Sequence, residues 1–302
     1  MSRLPVPDPA STSALDVLPA RRRDALRWAA AGALAVSAGP ALAQRAPRLV
    51  TISGAITEVV YALGAEAQLV GTDTTSLYPA AALRTPKVGY MRQLSAEGLL
   101  SLRPDAVIAT TESGPPVVLD QLRSAGVKLE LIDADHSWGE VQRKVRAVGR
   151  AAAREAQALA LQARLDAEWG DVQRQVAAVS GRKPRVLFIL AHSASAQVSG
   201  EKTAAHAVIG FAGGVNCLGG FQGYRPMTAE AMASAAPDVI LTSTQSIEAQ
   251  GGVDAFWQRP ELALTPAFRK RALITQDALL LLGFGPRLPA AIGALHAQFR
   301  AA

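Results

Sequence analysis

The tetrad Gly89-Tyr90-Met91-Arg92 is the first arrangement in this chain that could do chemistry. Tyr90 stands in a Gly-flanked loop, and Arg92, two residues on, can set a guanidinium beside the phenol. A neighbouring positive charge favours phenolate, and phenolate is a hard anionic ligand suited to ferric iron, haem iron included. A packed hinge aromatic is the plainer reading of a tyrosine just before a helix cap, and on pattern alone it stays open.

Other chemistry is thin. There is no G-x-S-x-G elbow, Walker loop, H-E-x-x-H or paired-cysteine motif, and the four histidines are scattered. Asp133, Asp135 and His136 are close in sequence, but Ser137 marks a strand-exit turn and helix cap, and no fourth metal ligand is near. A cleft enzyme would need a base, and His192 and Glu112 are the only plausible ones. Cys217 is the only cysteine and cannot form an internal disulfide; in the Gly-rich stretch 213–220 it reads as a small buried apolar residue. Charges of both signs are spread along the chain, with only four Trp and four Tyr, which excludes a nucleic-acid surface.

The elements that must position Tyr90 are found by a repeat. GYMRQLSAEGLLSLRPDAVIATT at 89–111 returns as GYRPMTAEAMASAAPDVILTST at 223–244. From Glu97 and Glu230 onward the register holds without a gap, 133 residues apart (230 − 97), through Pro104-Asp105 and Pro237-Asp238. In each copy a Gly-Tyr loop precedes an N-cap, Ser95 or Thr228, with a glutamate in the first turn where the helix dipole favours it. Pro-Asp then breaks the helix, and an apolar β-branched run follows, as in a buried strand. A long period repeated only twice means duplicated lobes facing a cleft, since a solenoid needs three or more short repeats.

Around these motifs, strands are predicted over 48–52, 68–71, 127–132, 185–190 and 272–275, and helices over 56–63, 117–125, 204–212 and 289–299. The loop Glu112–Pro116 leaves the carboxyl end of a strand, where ligands of open α/β sheets lie. The expected fold is α/β: two similar lobes with parallel-rich sheets, helices on both faces of each, joined by a single long helix, with a ligand cleft between them. With 302 residues, 49% of them apolar, two medium cores are favoured over one. The Ala-, Arg- and Gln-rich stretch 140–179, with Gly149 and Gly170 as its only breakers, is read as one helix to about Val148 and a second over about 150–179 that crosses between lobes. This gives an N-terminal lobe over 44–148, a linking helix over 149–180 and a C-terminal lobe over 181–302. A dimerising coiled coil lacks its sustained heptad, so a monomer is expected.

Residues 1–43 read as an export signal with cleavage near Ala43. Arg21-Arg22-Arg23-Asp24-Ala25-Leu26-Arg27 leads into an apolar run over 28–38, shorter than the roughly 20 residues that span a bilayer. The RR-x-x-L-R core resembles a twin-arginine signal, with Ala25 where that pattern prefers Phe. Gln44 follows, not cysteine, so no lipid tether is expected. Residues 1–43 hold five Arg and three Asp, so the net charge of +6 falls to +4 when they leave.

From Arg48 onward the chain resembles the periplasmic haem-binding proteins of bacterial ABC haem importers, relatives of the cobalamin and ferric-siderophore carriers. The residues that carry the resemblance are GYMRQLSAEGLLSLRPD (89–105), ESGPP (112–116), EKTAAHAVIGFAGGVN (201–216), GYRPMTAEA (223–231) and FGPRLPAAI (284–292). It implies a non-enzymatic periplasmic carrier that holds haem and delivers it to a permease dimer at the inner membrane, with Tyr90 as axial iron ligand and Arg92 as its hydrogen-bond partner. Some relatives add a histidine from the second lobe, for which His192 is placed. His206 departs from the family's usual Asp and reads as structural. Arg225 and Arg287 are candidates to meet haem propionates, with surface salt bridging as the rival reading. Glu97 and Glu230 are the implied permease-docking pair. A siderophore or cobalamin carrier is the alternative within the same fold.

Overall fold

The structure, a computed structural model, describes residues 45–191 and 196–301. The expected export signal and His192 lie outside those residues. The chain runs β1 (Leu49–Thr51), α1 (Gly54–Ala62), β2 (Leu69–Thr72), α2 (Ala96–Ser101), β3 (Ala106–Thr110), α3 (Pro116–Ser124), β4 (Lys128–Ile132), α4 (Trp138–Ala151) and α5 (Glu155–Ala177). It continues through β5 (Arg185–Ala191), β6 (Ala196–Ser199), α6 (Ala204–Phe211), β7 (Val215–Asn216), β8 (Tyr224–Pro226), α7 (Ala229–Ala235), β9 (Val239–Ser243) and α8 (Thr244–Ala249). Last come α9 (Val253–Trp257), α10 (Pro266–Lys270), β10 (Leu273–Gln276), α11 (Ala278–Leu282) and α12 (Leu288–Ala301). None of the described helices is long and apolar enough to cross a membrane.

Each lobe has its own sheet. The first is all parallel, in the order β2-β1-β3-β4. The second runs β10-β9-β5-β6-β8 with β7 beside β5. Its β5, β7, β9 and β10 are parallel, while β6 and β8 are antiparallel. The expected strands are present; β6, β7 and β8 are additions, and the second Gly-Tyr pair leads into strand β8 rather than remaining in a loop.

The repeat does the same structural work twice. Ser95 Oγ accepts the Gly98 N–H at 3.4 Å and Thr228 Oγ1 the Ala231 N–H at 3.3 Å, as their N-cap positions predict. Helices α2 and α7 then give way to left-handed residues, Arg103 (φ 46°) and Ala236 (φ 42°), directly before their prolines. The aspartate of each Pro-Asp pair caps the first strand of its own sheet: Asp105 Oδ2 accepts Arg48 N–H at 2.7 Å, and Asp238 Oδ2 accepts Arg185 N–H at 2.9 Å. Each of those arginines reaches back to the carbonyl ending the repeated helix, Leu102 O and Ala235 O, both at 2.7 Å. A polar clamp of this kind fixes the helix-to-strand angle and so aims the loop that precedes the helix.

Alternate residues of the strands serve opposite faces. Val50, Ile52, Val107 and Ala109 pack with Leu99 of α2 and Leu119 and Leu122 of α3, while Leu187, Ile189 and Ile240 pack with Phe256 and Trp257. The other faces meet in one continuous core that contains Leu49, Ile108 and Ile132 of the first sheet together with Val186, Phe188 and Leu241 of the second, bridged by α4, α5, α6 and α12. Two separate cores are therefore not what forms, and residues 46–302 make one compact unit. The reason lies in the helices between the lobes, which bury apolar residues toward both sheets.

Neither expected breaker breaks a helix. Gly149 lies inside α4 and Gly170 inside α5; the chain turns at 152–154, where Ala153 is left-handed (φ 51°). A Cβ on Gly149 would stand 2.5 Å from the Ala158 Cβ, so this glycine is there to let α4 and α5 approach. Trp138 of α4 and Trp169 of α5 stack across the same crossing, centroids 4.8 Å apart.

Candidate functional site

Parallel strands place their carboxyl ends on one edge of a sheet, and ligands of such sheets bind beyond that edge. Here both lobes present that edge to a single cavity of about 750 Å³. From the first lobe it is lined by Ser53 after β1, Thr74 and Thr75 after β2, Thr110 and Glu112 at the end of β3, and Ala134 and His136 after β4. The second lobe contributes Leu190 and Ala191 of β5, Ser243, Gln245 and Ser246 at the end of β9, and Ala278, Leu279, Leu282 and Gly283 after β10. This size falls in the range of small-molecule sites, roughly 300–1,000 Å³.

Tyr90 and Arg92 both line it. Gly89, at φ 100°, makes the bend that only glycine adopts freely, and the Tyr90 carbonyl accepts the Gln93 N–H at 2.8 Å to close the turn. The phenol is thereby displayed and is 40% exposed. Arg92 Nη1 donates to Tyr90 Oη at 2.8 Å, and its Nη2 donates to Glu112 Oε2 at 2.6 Å. A guanidinium has no acceptor, so the phenol oxygen accepts here and keeps its remaining valence toward the cavity. Glu112, considered above as a base, is instead the anchor that orients Arg92.

A second phenol was not anticipated as a site residue. Tyr224, from β8 of the other lobe, lines the same cavity. Burial pushes its pKa up to about 12; Glu112 adds to the shift, and Arg92 and the hydrogen bond with Thr203 oppose it. The second Gly-Tyr pair was the signal, read as repeat grammar rather than as a group facing the first tyrosine. The two phenols thus differ in kind: Tyr90 is exposed and accepts from a cation, whereas Tyr224 is half-buried and its pKa is pushed up.

Beneath the cavity lies a buried ion pair, also missed. Lys144, 1% exposed at its side chain, donates to Glu140 Oε1 at 2.6 Å and to the carbonyls of Gly283 at 2.8 Å and Phe284 at 3.2 Å. Burial pushes the lysine pKa down and Glu140 is the main opposing influence. Glu140 Oε2 accepts the His136 N–H at 2.8 Å, and the His136 ring lies 5.4 Å from that of Phe284. Both ions lie on the helix that the sequence predicts up to about Val148, in a stretch rich in Ala, Arg and Gln. Asp135 pairs with Arg143 at 2.7 Å, and among the described residues no group of three His, Cys, Asp or Glu could hold a metal ion.

Other expected residues stand elsewhere. Arg287 is outside the cavity lining: its Nε and Nη2 donate to Glu58 Oε2 at 2.8 Å and Oε1 at 2.5 Å, and its guanidinium lies 3.7 Å from the centre of the Tyr78 ring. Burial raises the Glu58 pKa against the pull of Arg287. Arg225, on the exposed side of β8, lies 4.4 Å over the Phe221 ring and does not line the cavity either. In this structure one of these two arginines is paired with a buried carboxylate and the other lies over an aromatic face. His206 is exposed in the first turn of α6, with Nδ1 3.5 Å from Asn216 Nδ2. Cys217 is half-buried, packed against the outer core of the second lobe, and desolvation pushes its thiol up to about 12. Glu97 and Glu230 are exposed in the first turns of α2 and α7, without an ion-pair partner among the described residues.

A family model described as periplasmic binding protein matches residues 49–279. Among solved structures, the periplasmic heme-binding protein BhuT in complex with two hemes is 46% identical, with a TM-score of 0.81 over 84% of this chain and 98% of that one. The periplasmic heme-binding protein RhuT from Roseiflexus sp. RS-1, in apo form, is 37% identical with a TM-score of 0.81 over 85% and 98%. A periplasmic heme-binding protein from Pseudomonas aeruginosa is 36% identical with a TM-score of 0.78 over 85% and 94%. The uncharacterized ABC transporter substrate-binding lipoprotein YvrC of Bacillus subtilis (strain 168) is 26% identical over 244 residues, 80% of this chain and 76% of its own length. The vitamin B12-binding protein of Yersinia pestis (strain Pestoides F) is 33% identical over 107 residues, which span only 38% of that protein. All of these are binding or transport proteins.

Proposed function

Because the chain belongs to the periplasmic binding protein family, we propose that it captures haem in the cleft between its lobes and delivers it to an ABC importer of the inner membrane. The observation that carries this reading is the Tyr90 oxygen, turned into a cavity of about 750 Å³ and held by a guanidinium that is itself held by Glu112. In this reading Tyr90 supplies the axial ligand to ferric iron, Arg92 stabilises the negative charge on its oxygen, and Leu77, Met91, Leu190, Leu279 and Leu282 give the porphyrin faces apolar contact. The similarity to heme-binding proteins supports the same cargo. Export through the signal at 1–43 would deliver the chain to the periplasm. A titration with hemin followed by visible absorption tests the assignment. A saturating tyrosinate-to-iron charge-transfer band is expected, with no response to cyanocobalamin; the absence of any hemin-dependent change would sink it.

Docking to the importer is assigned to Glu97 and Glu230. They occupy equivalent positions of the two lobes, both exposed and both at the start of a capped helix. Two equivalent carboxylates suit a permease dimer that offers one basic pocket per subunit. Replacing both by alanine should leave hemin affinity unchanged and cost about 0.3–1 kcal/mol of stability per helix. Hemin-stimulated ATP hydrolysis by the reconstituted importer should fall, and the wild-type coupling should weaken as salt rises, because exposed charges act on encounter. Full stimulation in the double variant would reduce the two glutamates to helix-stabilising residues.

A further inference from the structure

The charged side chains lining the cavity sort into pairs with one left over. Arg92 is paired with Glu112 and Lys144 with Glu140, while His136 rests beside Glu140. Lys202 lines the same cavity, and among the described residues its ammonium has neither an ion-pair nor a hydrogen-bond partner. The cavity therefore carries one uncompensated positive charge, on the wall opposite the lobe that bears Tyr90.

The loop presenting Lys202 is fixed rather than loose. Gly200 N–H donates to Gly223 O at 2.8 Å, Glu201 N–H to Phe221 O at 2.8 Å, and Gly223 N–H returns to Glu201 O at 2.9 Å. Thr203 Oγ1 donates to Gly200 O at 3.0 Å, and Asn216 Nδ2 to Ser199 O at 3.0 Å. Between these anchors Lys202 itself adopts the left-handed backbone, φ 56°, a conformation uncommon for a residue with a Cβ. Such a conformation persists where its surroundings over-determine it, and it clusters at ligand-binding positions.

We propose that Lys202 is the carboxylate anchor of the cleft, the residue that selects a porphyrin with free peripheral carboxylates over one without. This rests on the haem reading and deepens it: iron is held from the first lobe by Tyr90 and a propionate from the second by Lys202, so that the cargo itself ties the lobes. An ammonium offers three donors that can rotate to meet a flexible propionate, and Lys202, unlike Arg225 and Arg287, lines the cavity.

Hemin and its dimethyl ester separate the two interactions, because the ester keeps the iron and loses the carboxylates. Wild-type protein should bind hemin roughly tenfold more tightly than the ester, the size of one charge-assisted hydrogen bond at a partly exposed site. Lys202→Ala should lose that preference by weakening hemin alone, Lys202→Arg should retain most of it, and the iron charge-transfer band should be the same in all three. The undiminished preference for hemin in Lys202→Ala would overturn the role of Lys202 while leaving the haem reading intact. Failure of the wild type to bind either porphyrin would overturn the haem reading and this one with it.

Discussion

Phenylalanine at position 90 is expected to abolish the tyrosinate-to-iron band and to weaken hemin binding by more than about a hundredfold. The bound is set by comparison: removing a residue that only supports a metal ligand costs roughly 10–100-fold, and removing the ligand itself costs more. The ring of Tyr90 would remain to fill its place, so the loss reports the oxygen alone. Arg92→Ala should fall within the 10–100-fold range. The decisive control is the other phenol. Tyr224, held neutral to about 12 by burial and bonded to Thr203, should be replaceable by phenylalanine with the band intact. A band that survives in Tyr90→Phe and disappears in Tyr224→Phe would assign the ligand to the wrong lobe and overturn the reading.

Local grammar made much of this arrangement legible in the sequence. Ser95 and Thr228 as caps, the helix breaks at Pro104 and Pro237, and the apolar runs of β3 and β9 depend on residues within a few positions of each other, and the 133-residue register doubled the signal. Tyr90 and Arg92 were legible for the same reason, being two residues apart. What pattern could not supply was partnership across long separations. Arg287 meets Glu58 across 229 positions and Lys144 meets Gly283 across 139, and nothing near either residue announces the partner. An arginine in a Gly-Pro-Arg loop therefore read as available for a ligand when a buried carboxylate had already claimed it. Gly149 misled in the opposite way: its missing side chain serves the α4–α5 crossing, a need that arises only from packing. Lys202 and Tyr224 were overlooked because each lies in a polar loop or short strand with no periodicity, and only the meeting of two lobes turns them toward one cavity.

Truncating Lys144 to alanine is expected to cost roughly 3–5 kcal/mol of folding stability, because it strands a buried carboxylate. Glu140, 4% exposed at its side chain, would keep only the His136 N–H, and the carbonyls of Gly283 and Phe284 would lose their shared donor. The effect should exceed that of an ordinary surface pair because both side chains are almost fully withdrawn from solvent. It also falls on the joint between lobes: α4 packs on the first sheet, whereas Gly283 and Phe284 follow β10 of the second, and Arg287 a few residues on is gripped by Glu58 of α1. One short segment of the second lobe is thus tied to helices of the first by one ion pair, Arg287–Glu58, and by the two carbonyl hydrogen bonds of Lys144. At about 2–4 °C per kcal/mol for a chain of this size, the melting temperature should fall by roughly 6–20 °C. The double variant Lys144→Met/Glu140→Leu should recover most of the loss, since replacing both partners removes the cost of burying charge as well as its compensation. It should still stop short of the wild type by roughly 1–3 kcal/mol, the cost of leaving buried carbonyls without a donor. Thermal and urea unfolding of the three proteins checks this order. A loss below about 1 kcal/mol in Lys144→Ala, the scale of an exposed pair, would mean that water reaches Glu140 and that Lys144 does not fasten the lobes.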